Sequence, residues 1–235
     1  MADFVLVHGA WHGAWCWRKL LPSLWAAGHR AFAVDLTGLG ARRHLYRREL
    51  GLADHVADVV AVLESEELQQ AVVVGHSYGG MVITGAADRC PDSVAALVYI
   101  DAVVPRNGER WSSTHSPDTQ AQRRAQIAEV GGLAPPDPSV FGLSGADRDW
   151  VLRRQSIQPG GCYDDALRFD EARWSRWRRY FIDCTGPALP TIATSRERVR
   201  AEPGWHVDTL STGHDPMISA PEALSALLLR IARTA

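Results

Sequence analysis

The chain has 235 residues, 46% of them hydrophobic and 22% charged, which suits one large domain core and leaves too little chain for two well-separated ones. Its formal net charge of −2 provides no whole-molecule basic field to recruit nucleic acid or an anionic membrane surface. Met1-Ala2-Asp3 leads directly into Phe4-Val5-Leu6-Val7, with no basic leader and no apolar stretch approaching a bilayer span, so a cytoplasmic setting is expected. Cys16, Cys90, Cys162 and Cys184 are widely spaced without a C-x-x-C or Cys/His pattern, which predicts buried reduced thiols and neither disulfide nor zinc.

Short apolar runs alternate with amphipathic stretches of helical length, the pattern of a mainly parallel sheet of about six strands flanked by crossover helices. Strands are predicted at 3–7, 31–35, 71–75, 96–101, 189–194 and 206–210, and helices at 14–28, 52–67, 78–89 and 219–233. Pro22 falls inside the first predicted helix and weakens its continuity. The segment 105–187 breaks this rhythm, mixing Trp111, Trp150, Phe169, Trp174, Trp177, Tyr180 and Phe181 with arginines and with the breakers Pro135-Pro136-Asp137-Pro138 and Gly160-Gly161. A structureless loop of that length is improbable in a compact domain, so 105–187 is expected to be a helical cap inserted within a single 1–235 domain. Trp174 through Phe181 reads as a helix packing its aromatic face inward while arginines reach solvent; the alternative is that Trp174 and Trp177 line a substrate pocket.

Gly75-His76-Ser77-Tyr78-Gly79 follows the β-branched run Ala71–Val74 and precedes a helical stretch, so this G-x-S-x-G sits where a strand must turn sharply into a helix. In that context Ser77 is a candidate nucleophile, and the Tyr78 N–H at the helix start a candidate oxyanion donor; the alternative is a turn serine capping a helix. The loop after the first strand, His8-Gly9-Ala10-Trp11-His12-Gly13, has small residues that let backbone approach a substrate oxygen, making the Ala10 N–H the second donor candidate, with Gly9 and Trp11 beside the pocket. His8 and His12 have no suitably spaced third ligand on the same local element and read as loop-shaping, and His76 on the elbow reads as structural, so no metal is expected. A serine hydroxyl needs a base, and His214, in the glycine-flanked loop after the last predicted strand, can reach over the sheet's C-terminal edge.

These stretches together resemble the hydroxynitrile lyase and plant methylesterase branch of the α/β-hydrolases: Phe4 through Trp17, Asp35-Leu-Thr-Gly-Leu-Gly40, the Ser77 elbow, and His214 with Pro216-Met217 and Pro221. The resemblance covers nearly the whole chain and implies an α/β-hydrolase fold with an inserted cap, and cofactor-free ester hydrolysis or cyanohydrin cleavage. The lyases carry a threonine in the first loop and a lysine after the histidine, where this chain has Gly9 and Asp215, which favours the esterase side. The family usually supplies its triad aspartate after the penultimate strand, and the matching stretch, taken as Thr191 through Arg198, has none.

Asp101, at the end of the strand after the elbow, is therefore the first candidate acid; Glu197 is the second and an acid-free Ser-His dyad the third. Asp215 is expected to point away and is unassigned. The expected activity is serine-dependent hydrolysis of a small to medium apolar or aromatic ester. A lyase or secondary-metabolite cyclase on the same site, and a non-catalytic small-molecule receptor, are the rivals. The expected partner is a small molecule, and a homodimer is an open expectation.

Overall fold

The computed structural model describes residues 1–234. Apolar, β-branched and aromatic runs form the strands β1 (Asp3–Val7), β2 (Arg30–Val34), β3 (Ala71–His76), β4 (Val94–Ile100), β7 (Arg178–Cys184) and β8 (Trp205–Leu210), with the two-residue strands β5 (Gly132–Leu133) and β6 (Gln158–Pro159) forming a separate antiparallel pair. The large sheet has the order β2-β1-β3-β4-β7-β8 with every neighbouring pair parallel. Parallel neighbours require crossovers, supplied by α1 (Leu21–Ala26), α2 (Leu52–Ser65), α3 (Gly79–Arg89), α8 (Ala193–Ala201) and the inserted segment; α9 (Pro216–Ser219) and α10 (Pro221–Ala232) follow β8. Both faces of the central strands are buried, as a helix-covered parallel sheet requires: Phe4, Leu6, Val72, Val74 and Val98 belong to one apolar layer and Val5, Val7, Val73, Leu97 and Tyr99 to the other.

Pro22 stands in the first turn of α1, where its missing N–H leaves no helical acceptor unsatisfied, and the predicted 14–28 helix is instead a 3₁₀ turn, Ala14–Trp17, followed by α1.

Two expectations fail on the C-terminal side. Residues 189–194 are not a strand: Pro190–Ile192 is a 3₁₀ turn running into α8, since a proline cannot donate to a central ladder and the residues beyond it continue helically. The fifth sheet strand is β7, inside the segment assigned to the cap, so the insert ends by Trp177 and not at 187. Four arginines between 173 and 179 hid this strand in the sequence. Arg179 is buried even so, its guanidinium carbon 4.3 Å from the Trp174 ring centroid and 4.9 Å from that of Trp205. The insert between β4 and β7 carries α4 (Pro117–Val130), α5 (Gly145–Leu152), α6 (Gly161–Asp164) and α7 (Glu171–Trp174) together with the β5–β6 pair.

Candidate active site

Ser77, Asp101 and His214 follow the C-terminal ends of β3, β4 and β8, so three separate loops converge on one edge of the sheet. Non-glycine residues rarely adopt positive φ, yet Ser77 (53°), Asp101 (40°) and Trp11 (65°) all do, which marks this edge as locally strained. The strain is held by backbone bonds: Ser77 N–H donates to Ile100 O at 3.2 Å, Val103 N–H to Ser77 O at 3.0 Å and Asp101 N–H to Ile182 O at 2.8 Å. Glycine is obligatory at 75, where a Cβ would lie 2.6 Å from the Gly79 carbonyl oxygen, and at 9, where it would lie 2.8 Å from Ser77 Cβ.

His214 Nδ1–H donates to Asp101 Oδ2 at 2.6 Å, and both side chains are buried. That bond fixes the tautomer, leaving Nε2 as the basic nitrogen. Asp101 Oδ1 has its own donor, Arg196 Nη2 at 2.6 Å, and Arg196 Nε donates to Asp183 Oδ1 at 2.5 Å, with Arg200 also paired to Asp183. Glu197, the second candidate acid, is exposed on α8 and is not brought to His214. With β7 in its observed place, the loop after it begins Thr185-Gly186-Pro187-Ala188-Leu189, which also lacks a carboxylate.

Of the two proposed oxyanion donors, neither Ala10 N–H nor Tyr78 N–H has a protein acceptor among the described residues, whereas Trp11 N–H is taken by Gln158 Oε1 at 3.2 Å. The Tyr78 hydroxyl is remote from this role: it is buried and donates to His55 Nδ1 at 3.0 Å, while His55 Nε2–H donates to Thr37 O at 2.9 Å. Ser77 and His214 line a narrow cavity of about 140 Å³ with Trp11, Trp111, Phe141 and Arg123. Trp174 and Trp177 do not line it. Trp174 is buried, with Nε1–H donating to Tyr99 Oη at 2.9 Å and its ring against Trp205, because the start of β7 pins this segment onto the sheet; Trp177 packs half-buried on the same core.

Beneath His214 lies a polar cluster that the sequence did not indicate. Asp215 turns inward, accepting from His12 Nε2–H at 3.2 Å and lying 3.4 Å from His76 Nε2. Burial opposes charge on both members of the His12–Asp215 pair, but their mutual attraction outweighs it, raising His12 and lowering Asp215 to about 2. His12 Nδ1–H also donates to Ala10 O at 2.8 Å and so steadies the loop that presents the Ala10 N–H. His76 is the reverse case, held well below its ordinary range by burial and by the neighbouring His214, with its Nε2–H donating to His214 O at 2.8 Å. His76, His214 and Asp215 offer ligand atoms within 4.8 Å of one another. One nitrogen of each imidazole is already engaged, His214 Nδ1 by Asp101 and His76 Nε2 by the His214 carbonyl, and all three residues are buried, so the group reads as a packed polar cluster.

A strained serine on a strand-to-helix elbow, a histidine after the last strand and a parallel sheet with an inserted cap define one class of protein. Residues 4–227 match the alpha/beta hydrolase family, and the chain belongs to it. Within that family it falls in the methylesterase-like branch. It is 37% identical to a carbendazim hydrolyzing esterase of Nocardioides sp. (strain SG-4G), covering 97% of this chain and 98% of that one. It is 31% identical to the probable esterase PIR7A of Oryza sativa, covering 97% of this chain and 96% of the relative. Among solved structures, an extracellular α/β-hydrolase from a Paenibacillus species superposes with a TM-score of 0.85 at 18% identity, covering 99% of this chain and 100% of that one, which speaks for the fold alone.

Proposed function

We propose that this protein hydrolyses carboxylic esters through an acyl-enzyme on Ser77. The observation that carries the reading is the 2.6 Å bond from His214 to Asp101, made by an imidazole that shares a cavity with a serine at φ 53°. His214 Nε2 takes the Ser77 proton as Oγ attacks the ester carbonyl carbon, and the Ala10 and Tyr78 N–H groups hold the resulting oxyanion. Collapse of the tetrahedral species expels the alcohol, which leaves with the proton from His214. Water, deprotonated by His214, then attacks the acyl-enzyme, and the carboxylic acid departs as Ser77 regains its proton.

The aromatic and aliphatic cavity walls support a small to medium apolar or aromatic ester. Relatives named as methylesterases make a methyl ester the first substrate class to test. Four free cysteines, three of them buried, support a reducing cytoplasmic setting. Intact-protein mass spectrometry after a fluorophosphonate should show one adduct, absent in Ser77→Ala, together with p-nitrophenyl acetate turnover that this variant loses. A wild type without a Ser77 adduct would exclude the acyl-enzyme and favour a lyase, a cyclase or a receptor.

A further inference from the structure

We propose that Arg123 is a carboxylate-recognising group of the Ser77 cavity, so that the preferred substrate is an ester whose ring-sized apolar body carries a second, ionised carboxyl group. The proposal rests on the esterase reading of Ser77 and names the substrate class for it. Arg123 comes from α4 of the insert, and no aspartate or glutamate shares the cavity lining with it among the described residues. Its guanidinium carbon lies 5.7, 5.3 and 5.6 Å from the ring centroids of Trp11, Trp111 and Tyr163. Three aromatic rings hold the cation by its π contacts, and such contacts leave the N–H edge free to donate.

That edge has no acceptor. Arg123 Nη1 is buried without a hydrogen-bond partner, and so is the hydroxyl of Tyr163 beside the same guanidinium. The adjacent Arg124 makes a bidentate pair with Asp164 at 2.8 and 2.9 Å, so the nearby acid is already engaged. His115, also in the lining, is held down to about 4 by burial and by Arg123 itself, and as a neutral ring it brings no counter-charge. A half-buried guanidinium whose buried Nη1 has no acceptor is costly until one reaches it, and a carboxylate matches its planar fork best. A void of about 140 Å³ is close to the roughly 150 Å³ that accommodates a benzene ring in an apolar protein cavity, so one ring is the body the site accepts.

The test compares kcat/KM for monomethyl terephthalate and methyl benzoate in the full chain. Wild type should prefer the carboxylated ester by about tenfold or more, as expected for one charge-assisted hydrogen-bonding group. Arg123→Gln should abolish the preference and Arg123→Lys should retain part of it, with the wild-type preference weakening at high salt. A wild type that favours methyl benzoate, or an Arg123→Gln variant that keeps the preference, would overturn the proposal. Calorimetric binding of benzoate to Ser77→Ala, with and without Arg123→Gln, reads the same group without turnover. Arg123-dependent benzoate binding beside absent ester cleavage would fault the esterase reading alone; ester cleavage with benzoate binding indifferent to Arg123 would fault this one alone.

Discussion

Each oxygen of Asp101 has its own cationic or imidazole donor, His214 at Oδ2 and Arg196 at Oδ1, and this double engagement holds the carboxylate plane toward the histidine. Arg196 is itself divided between Asp101 and Asp183, so the relay behind Ser77 ends in a buried ionic chain rather than in a single side chain. An orienting carboxylate in such a relay is worth about 10⁴ in rate, so Asp101→Asn should lower kcat for p-nitrophenyl acetate by about that factor. Glu197→Gln, on an exposed α8 position, should stay within a few-fold. The opposite ranking in the same assay would move the acid to Glu197. The pairing of Asp101 with His214 was legible from the sequence because a strand-end aspartate in serine, acid, histidine order fits this fold. Arg196 was not, because its role depends on how α8 lies over the ends of β4 and β7.

At the scale of elements, the elbow works because β3 and α3 approach until the residue between them is forced to positive φ. Gly75 permits that approach. Gly75→Ala puts a Cβ within 2.6 Å of the Gly79 carbonyl oxygen, a backbone atom that cannot swing aside. Overpacking of this kind costs about 1–3 kcal/mol, so urea melts should show that loss, and p-nitrophenyl acetate turnover should fall with it as Ser77 is displaced. Unchanged melts and turnover would mean the elbow tolerates more separation than its geometry indicates. The same scale explains where the sequence misled. β7 alternates poorly because Arg178 and Arg179 open it, and the stacking of Arg179 on Trp174 and Trp205, with its Nη2–H donating to Pro203 O at 3.4 Å, accommodates a buried arginine there.

The whole molecule buries histidines in opposite electrostatic states, and its acid stability follows from the balance. Burial holds His8 down to about 3 and His115 to about 4, and lowers His55 and His76 as well, so these four take up protons readily only when the chain unfolds. Each therefore favours the unfolded state as pH falls below about 6.5, by up to about 1.4 kcal/mol per pH unit. His12 has the opposite sign: its raised pKa contributes stability that is complete below about 6.5 and lost as pH rises through the folded value. Asp215, lowered to about 2, contributes stability above the ordinary carboxylate range that is lost as pH falls toward that value. One histidine opposes four, so urea-derived stability should decline steadily from pH 7 to pH 5. A flat or rising profile over that interval would contradict the burial of these rings as neutral species.

Taken alone, the sequence determined the fold class and located the elbow serine and the loop histidine that the structure brings to one cavity. Those depend on local patterns: a β-branched run, two glycines at fixed spacing, and a glycine-flanked loop after a strand. It also narrowed the acid to a short set, because chain order and strand ends restrict what can meet His214. Only the tertiary structure brought Arg196 to Asp101, turned Asp215 inward onto His12 and His76, withdrew Trp174 and Trp177 from the pocket and set Arg123 among three rings. Apart from Arg123 and Trp111, twelve residues apart, these contacts join segments tens of residues or more apart in the chain. Such contacts are decided by how the insert, α8 and the loops after β1, β3 and β8 pack at the sheet edge, which no periodicity or motif in the chain encodes.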